Sequence, residues 1–217
     1  SFIISASCVI NLGLKPIFAD VNLNGNLSLE GIKKNYTKKV KAIILVHLNG
    51  FPCDMDPIIA FARKHKIKII EDCSQAHGAY YNNKSVGSFG DVSTWSFCQD
   101  KIISTGGEGG MISTSNKKIW EKCWSLKDHG KNYFSVFKKK HKLGFRWLHD
   151  NSGSNYRMTE MQSVIGRYQL KNLDIQIKKR NKIAYKVINS LKIFWEKYSL
   201  LRKPNFRCSK CELKNMK

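Results

Sequence analysis

Short apolar runs alternating with amphipathic stretches restrict what this chain can fold into more than any other feature. "KPIFADV" (15–21), "VKAIILVHL" (40–48), "IKIIEDC" (67–73), "VSTWSFC" (92–98) and "GMISTS" (110–115) read as strands. Between the second and third lies "DPIIAFARKHK" (56–66), which gathers Ile58, Ile59, Phe61 and Ala62 on one helical face and places Pro57 in a first turn. Strands separated by helices lie parallel, with the helices covering the sheet. The expectation is an α/β fold with a mostly parallel sheet flanked by helices. Ligands in such sheets gather beyond the carboxyl ends of the strands. Asp72 and Lys101 both fall where a strand should be ending.

Further along, 117–127 suits a Trp-bearing helix, and 129–155 reads as a long polar and aromatic loop. From Tyr156, the spacing of Met158, Met161, Ile165 and Tyr168, then Ile177, Ala184, Ile188 and Leu191, predicts one or two long amphipathic helices, mainly core and subunit interface. The residues from Arg202 onward fit no element.

The formal charge of +22 raises the possibility of nucleic acid, but the lysines are spread along the whole chain and no nucleic-acid-binding motif accompanies them. A solvated, lysine-rich surface that also attracts anionic small substrates is the expectation, with no nucleic-acid partner. No apolar run approaches the roughly 20 residues needed to span a bilayer, so no membrane association is expected. An opening on Ser1-Phe2, without a charged segment and apolar run behind a Met, reads as no signal peptide and as a start in mid-pattern. Seven cysteines, an odd number without framework spacing, point to reduced thiols in a cytoplasm. Cys208 and Cys211 form a single C-x-x-C pair, which gives no reason to expect zinc.

The chemistry concentrates in "EDCSQAHGA" (71–79), "SFCQDK" (96–101) and "GGEGG" (106–110). A lysine that acts as an amine nucleophile must be partly desolvated before it can form an imine with an aldehyde. A carboxylate at a neighbouring strand end can keep a ring nitrogen protonated by Coulomb attraction. Those are the minimum parts of pyridoxal phosphate chemistry, and a serine hydroxyl with glycine-rich backbone could hold the phosphate.

The combination resembles the DegT/DnrJ/EryC1/StrS family of nucleotide-sugar aminotransferases, fold-type I pyridoxal-phosphate-dependent transferases. Its marks are an acidic-Asp-x-x-Gln-x-x-Gly segment, a Ser-Phe-x-x-x-Lys segment leading into Gly-Glu-Gly-Gly, and Asn155-Tyr156-Arg157-Met158 before a long helix. The resemblance implies an incomplete, N-terminally truncated large cofactor-binding domain over 1–155, linking and interface helices over 156–192, and a stub of a small domain over 193–217. It implies Lys101 as the cofactor-bearing catalytic lysine and Asp72 as the carboxylate on the pyridine nitrogen. It also implies Gln75 beside the ring and its 3′-oxygen, Ser96 on the phosphate, Phe2 stacked on the ring, and Asn155 reaching the phosphate from the partner subunit of a homodimer. The cofactor is then pyridoxal 5′-phosphate, with an amino-acid donor, glutamate in the family's usual pattern, and a keto-sugar nucleotide as acceptor. Such an enzyme serves cell-surface polysaccharide or aminosugar biosynthesis. Cys98 stands where histidine is common in the family, and the family's phosphate-cradling Gly-Thr segment should precede residue 1.

Plainer roles remain open for these residues. Asp72 could cap a helix, Ser96 could satisfy a strand-end amide, Phe2 could be core, and Gly106 to Gly110 could form only a turn. His47 and His77 read as satisfied structural histidines, and Cys73 as a small packing residue. Relatives that dehydrate sugars carry histidine at the lysine position, so Lys101 argues against that activity. A catalytically inactive fragment of an aminotransferase is the alternative from another class.

Overall fold

A computed structural model of the chain describes residues 2–141, 144 and 149–198, with side chains of the last helix described through residue 192. Cys208 and Cys211 lie outside the described residues. The chain divides into two compact units, Ser1–Lys171 and Asn172–Lys217.

In the first unit, helices α1 (Ile4–Asn11) and α2 (Leu29–Asn35) precede strand β1 (Ala42–Val46), then α3 (Met55–Lys64) and β2 (Lys68–Asp72). A small hairpin of β3 (Tyr80–Tyr81) and β4 (Lys84–Ser85) leads to β5 (Val92–Ser96) and β6 (Gly110–Ser113). Helices α4 (Lys117–Lys127), α5 (Tyr133–Phe137) and α6 (Glu160–Lys171) follow, and α7 (Leu173–Tyr198) belongs to the second unit. The main sheet has the order β1-β2-β5-β6, parallel except for the antiparallel β5–β6 pair. The α/β expectation is met.

Alternation along the strands explains the core. Ile43 and Leu45 of β1 pair with Ile69 and Glu71 of β2, and all four are buried. Met55, Ile58 and Ala62 of α3, spaced to share one helical face, pack with Ile43, Leu45 and Ile69, together with Ile32 of α2. Fully burying side chains of this size contributes about 1.5–3 kcal/mol each, so this cluster holds β1 and β2 rigid behind their carboxyl ends. A smaller cluster of Cys73, Ala76 and Val86 packs with Ala79 and Trp95 beyond the end of β2. Asn82 and Asn83 both take positive φ, which a tight two-residue hairpin turn requires and asparagine tolerates.

Two expectations are corrected. The stretch 15–21 is not a strand: it contributes only an isolated bridge, Val21 to Leu27, and Ile17, Phe18 and Val21 are exposed. An apolar run becomes a strand only when a neighbour pairs with its backbone along its length, and among the described residues the 27–28 segment meets only the last two residues of this one. The stretch 129–155 is not purely loop, because Asn132 caps α5 through Ser135 N, and Tyr133 and Phe137 pack with Trp124.

Candidate active site

The parallel strands β2 and β5 finish side by side. Asp72, the last residue of β2, pairs with Thr94, and Ser96 closes β5 two residues later. Asp72 caps no helix. Its Oδ1 accepts from Ser74 N at 3.1 Å, a local turn, and its Oδ2 accepts from Ser5 Oγ at 3.2 Å. That second bond draws the first turn of α1, and with it the chain at Phe2, to the sheet end. Phe2 itself is 71% exposed. With one bond on each oxygen, the Asp72 carboxylate keeps acceptor capacity for another donor.

Gln75 follows in the turn after β2. Its Oε1 accepts from Asn49 N at 2.7 Å, and Asn49 is held at positive φ in the turn Leu48–Gly50. A backbone N–H can only donate, so the amide oxygen of Gln75 must face Asn49 and its NH2 must face elsewhere as a donor. The Asn49 turn is itself pinned by the buried Asn26, whose Nδ2 donates to the carbonyls of Phe51 and Pro52 and whose Oδ1 accepts from Leu48 N. Ser96 Oγ accepts from Cys98 N at 3.3 Å, leaving its hydroxyl hydrogen available to an anion.

Lys101 stands in the turn after β5, with its N–H donating to Cys98 O at 3.0 Å. Its side chain is only 20% exposed, and Nζ lies 3.0 Å from Asp100 Oδ1. The glycine-rich segment folds back onto the end of β5: Phe97 N donates to Gly109 O, and Thr105 Oγ1 donates to Glu108 O. A Cβ on Gly109 would collide with Thr105 Oγ1. Asn155 is placed apart from this group, bridged to Asp128 at the end of α4. No hydrogen bond or ion pair among the described residues joins it to Asp72, Gln75, Ser96 or Lys101.

One group, the Glu71 carboxylate, escaped the sequence reading of the site. Glu71 is fully buried, and its Oε1 accepts from Phe89 N at 2.7 Å and Gly90 N at 2.6 Å. Its Oε2 accepts from Gly87 N at 2.7 Å and lies 3.1 Å from His47 Nε2. Burial works to raise its pKa, but the His47 bond and the three backbone N–H groups together hold it below the ordinary carboxylate value. His47 Nδ1 accepts from Cys53 N at 3.0 Å, so the proton must sit on Nε2 and point at Glu71. His47, Glu71 and Cys73 offer ligand atoms within 4.8 Å of one another, yet this is no metal centre as it stands. His47 has no free lone pair, the Glu71 oxygens are already filled, and burial pushes the Cys73 thiol well above its ordinary value. Burial likewise lifts Cys53 to about 12. The signal in the sequence was the strict alternation Ile69, Glu71, Cys73, which puts a carboxylate on the buried face.

His77, which the sequence reads as structural, is 4% exposed, with its ring against Trp95 and Phe97 and, among the described residues, neither nitrogen hydrogen-bonded. Burial, helped by the nearby charge of Lys101, pushes the imidazole below its ordinary value. The Ser96 backbone lies near enough to resist that shift without forming a bond. His47 is thus the satisfied structural histidine expected, whereas His77 is not: its ring is buried and, among the described residues, neither nitrogen has a hydrogen-bond partner.

The donor set fits a pyridine ring bearing a phosphate: a carboxylate with spare capacity, an amide NH2, a hydroxyl and a partly buried amine, all on one sheet end. The fold is that of the pyridoxal-phosphate-dependent aminotransferases. The chain belongs to the DegT/DnrJ/EryC1/StrS aminotransferase family, whose model matches residues 1–201. It is 40% identical over 195 residues to the GDP-perosamine synthase of Escherichia coli O157:H7, covering 88% of this chain and 50% of that protein. It is 39% identical over 174 residues to a UDP-N-acetyl-3-dehydro-alpha-D-glucosamine 3-aminotransferase of Acidithiobacillus ferrooxidans, covering 80% of this chain and 44% of that one. The crystal structure of an aminotransferase from Psychrobacter cryohalolentis superposes with a TM-score of 0.88 at 49% identity, covering 91% of this chain and 50% of the other. The chain therefore spans about half the length of these relatives. Among the described residues no helix is long and apolar enough to cross a membrane.

Proposed function

We propose that the chain forms the cofactor-binding part of a pyridoxal-phosphate-dependent aminotransferase that moves an amino group from an amino acid, glutamate in the first instance, to a keto-sugar nucleotide. The observation that carries this reading is the gathering of Asp72, Gln75, Ser96 and Lys101 at the carboxyl ends of two adjacent strands, in a chain of this family. Residues 1–155 then make up the large domain, 156–192 the linking helices and 193–217 the start of a small domain. The working form is a cytoplasmic homodimer, and its product feeds polysaccharide or aminosugar synthesis.

When bound, pyridoxal phosphate supplies an aldehyde and an electron-accepting ring. The chain's own residues do the rest. Lys101 Nζ, parted from Asp100 and deprotonated, would hold the cofactor through its aldehyde carbon with loss of water; once the amino donor's nitrogen displaced it, the free amine would carry a proton to and from the reacting carbon. Asp72 holds a proton on the ring nitrogen by charge. Gln75 donates from Nε2 beside the ring, Ser96 donates from Oγ to the phosphate, Asn155 of the partner subunit adds a donor there, and Phe2 covers the ring face.

The test is borohydride reduction of the protein mixed with pyridoxal phosphate, followed by peptide mass mapping. A pyridoxyl label on the Lys101 peptide, absent from Lys101→Ala, is expected. A label on another lysine, or an undiminished label in Lys101→Ala, overturns the assignment.

A further inference from the structure

The segment that carries Asn155 is built with unusual care for an exposed side chain. Ser154 N donates to Leu126 O at 2.8 Å, His129 N to Ser154 O at 3.1 Å, and Tyr156 N to Lys127 O at 3.0 Å, so the backbone is stitched to the end of α4. Gly130 and Gly153 permit this: a Cβ on the first would run into Asn151 O, and on the second into Gly130 N. At the centre of the seam sits Asp128, 9% exposed, with Oδ1 3.3 Å from Lys131 Nζ and 3.5 Å from Arg157 Nη1. Arg157 Nε in turn donates to Asn155 Oδ1 at 2.9 Å.

An exposed asparagine ordinarily presents either end of its amide. Here the choice is removed, because a guanidinium carries only donors and the group facing it must be the amide oxygen. The NH2 is then turned outward, and among the described residues Nδ2 has no hydrogen-bond partner. We infer that Asp128 and Arg157 are positioning residues: the carboxylate sets the guanidinium, and the guanidinium aims Asn155 Nδ2 at an anion. Resting on the function proposed above, that anion is the phosphate monoester of a cofactor held by a second copy of the chain. Arg157 also brings positive charge to the same spot, which favours an anion over a neutral acceptor.

The test compares pyridoxal phosphate with pyridoxal, which offers Lys101 the same aldehyde but no phosphate. Dissociation constants for both are measured on the full chain, wild type and Arg157→Lys, Asn155→Ala and the double variant. Loss of one hydrogen bond to a charged group predicts that Arg157→Lys and Asn155→Ala each weaken pyridoxal phosphate about tenfold. Both should leave pyridoxal within about twofold, and the double variant should be no worse than Asn155→Ala, since the two residues act in series. An equal weakening of both ligands in Arg157→Lys would mean a merely structural role and overturn the inference. So would an unchanged ratio, or a double variant in which the losses add. If wild type forms no Lys101 product with either ligand, the cofactor reading falls and takes this inference with it. A normal product with an unchanged ratio overturns the inference alone.

Discussion

Replacing Glu71 with glutamine changes one atom in the interior, and the structure dictates a large cost. The carboxylate receives two donors on each oxygen: Phe89 and Gly90 N–H on one, Gly87 N–H and His47 Nε2–H on the other. A glutamine can keep one pair, but its NH2 must then face the other pair, donor against donor. His47 cannot resolve the conflict by changing tautomer, because a proton on Nδ1 would point at Cys53 N–H. Two buried donors therefore lose their acceptor at about 1–3 kcal/mol each. The two orphaned donors together put the total near 3–5 kcal/mol, at about 1–3 kcal/mol for each. Against a typical stability of about 5–15 kcal/mol, that is a substantial fraction. Urea unfolding of Glu71→Gln at neutral pH measures the loss, and amide exchange at Gly87, Phe89 and Gly90 locates it. A loss below about 1 kcal/mol with unchanged exchange at those three amides would refute the account of Glu71 as the clamp between β2 and the 87–90 turn.

His77 has its folded pKa below the ordinary 6.5, so the unfolded chain binds its proton first as pH falls. Its contribution to stability is complete above about 6.5 and is lost as pH drops toward the folded value, at no more than about 1.4 kcal/mol per pH unit. His77→Phe should be at least as stable as wild type at pH 8 in denaturant titrations and should show a shallower decline from pH 6.5 to 5; an unchanged slope would show that another group titrates there. Asp100 holds the Lys101 ammonium from a largely exposed position, where ion pairs are weak. Asp100→Asn should speed labelling of Lys101 by pyridoxal phosphate by about threefold at low salt, with the difference vanishing at high salt; a slower variant would mean that Asp100 assists the reaction.

The sheet was legible in the sequence because its strands are short apolar runs bounded by turns, and each of 40–48, 67–73, 92–98 and 110–115 contains one. The stretch 15–21 carries the same local pattern without becoming a strand, since pairing is decided by a neighbour and not by the residues themselves. The motif segments could be read as a group because Asp72 and Ser96 end neighbouring strands, and strand ends are where residues distant in sequence meet. What local pattern could not reveal were relations with no fixed spacing: Asn49 aiming Gln75, Asn26 pinning the turn that holds Asn49, and Arg157 aiming Asn155. Each is a choice of orientation for a side-chain amide, and only the partner atom makes it.

The adjacent acids Glu71 and Asp72 illustrate how a two-residue period assigns function. Successive side chains of β2 leave the strand on opposite faces. Glu71 goes inward, where an ionised carboxylate survives only if its lone pairs are filled, and four donors fill them. Asp72 goes to the other face at the strand's end, where it receives Ser5 and Ser74 and keeps room for a third donor. A carboxylate that must hold a proton on a ligand's nitrogen needs that spare capacity, so the saturated residue cannot serve and the unsaturated one can. Exchanging the order of the two acids would fail at both tasks at once. An aspartate at position 71 is one methylene too short to span from His47 to the 87–90 turn, and a glutamate at position 72 would move the acceptor outward from the Ser5 and Ser74 donors that orient it.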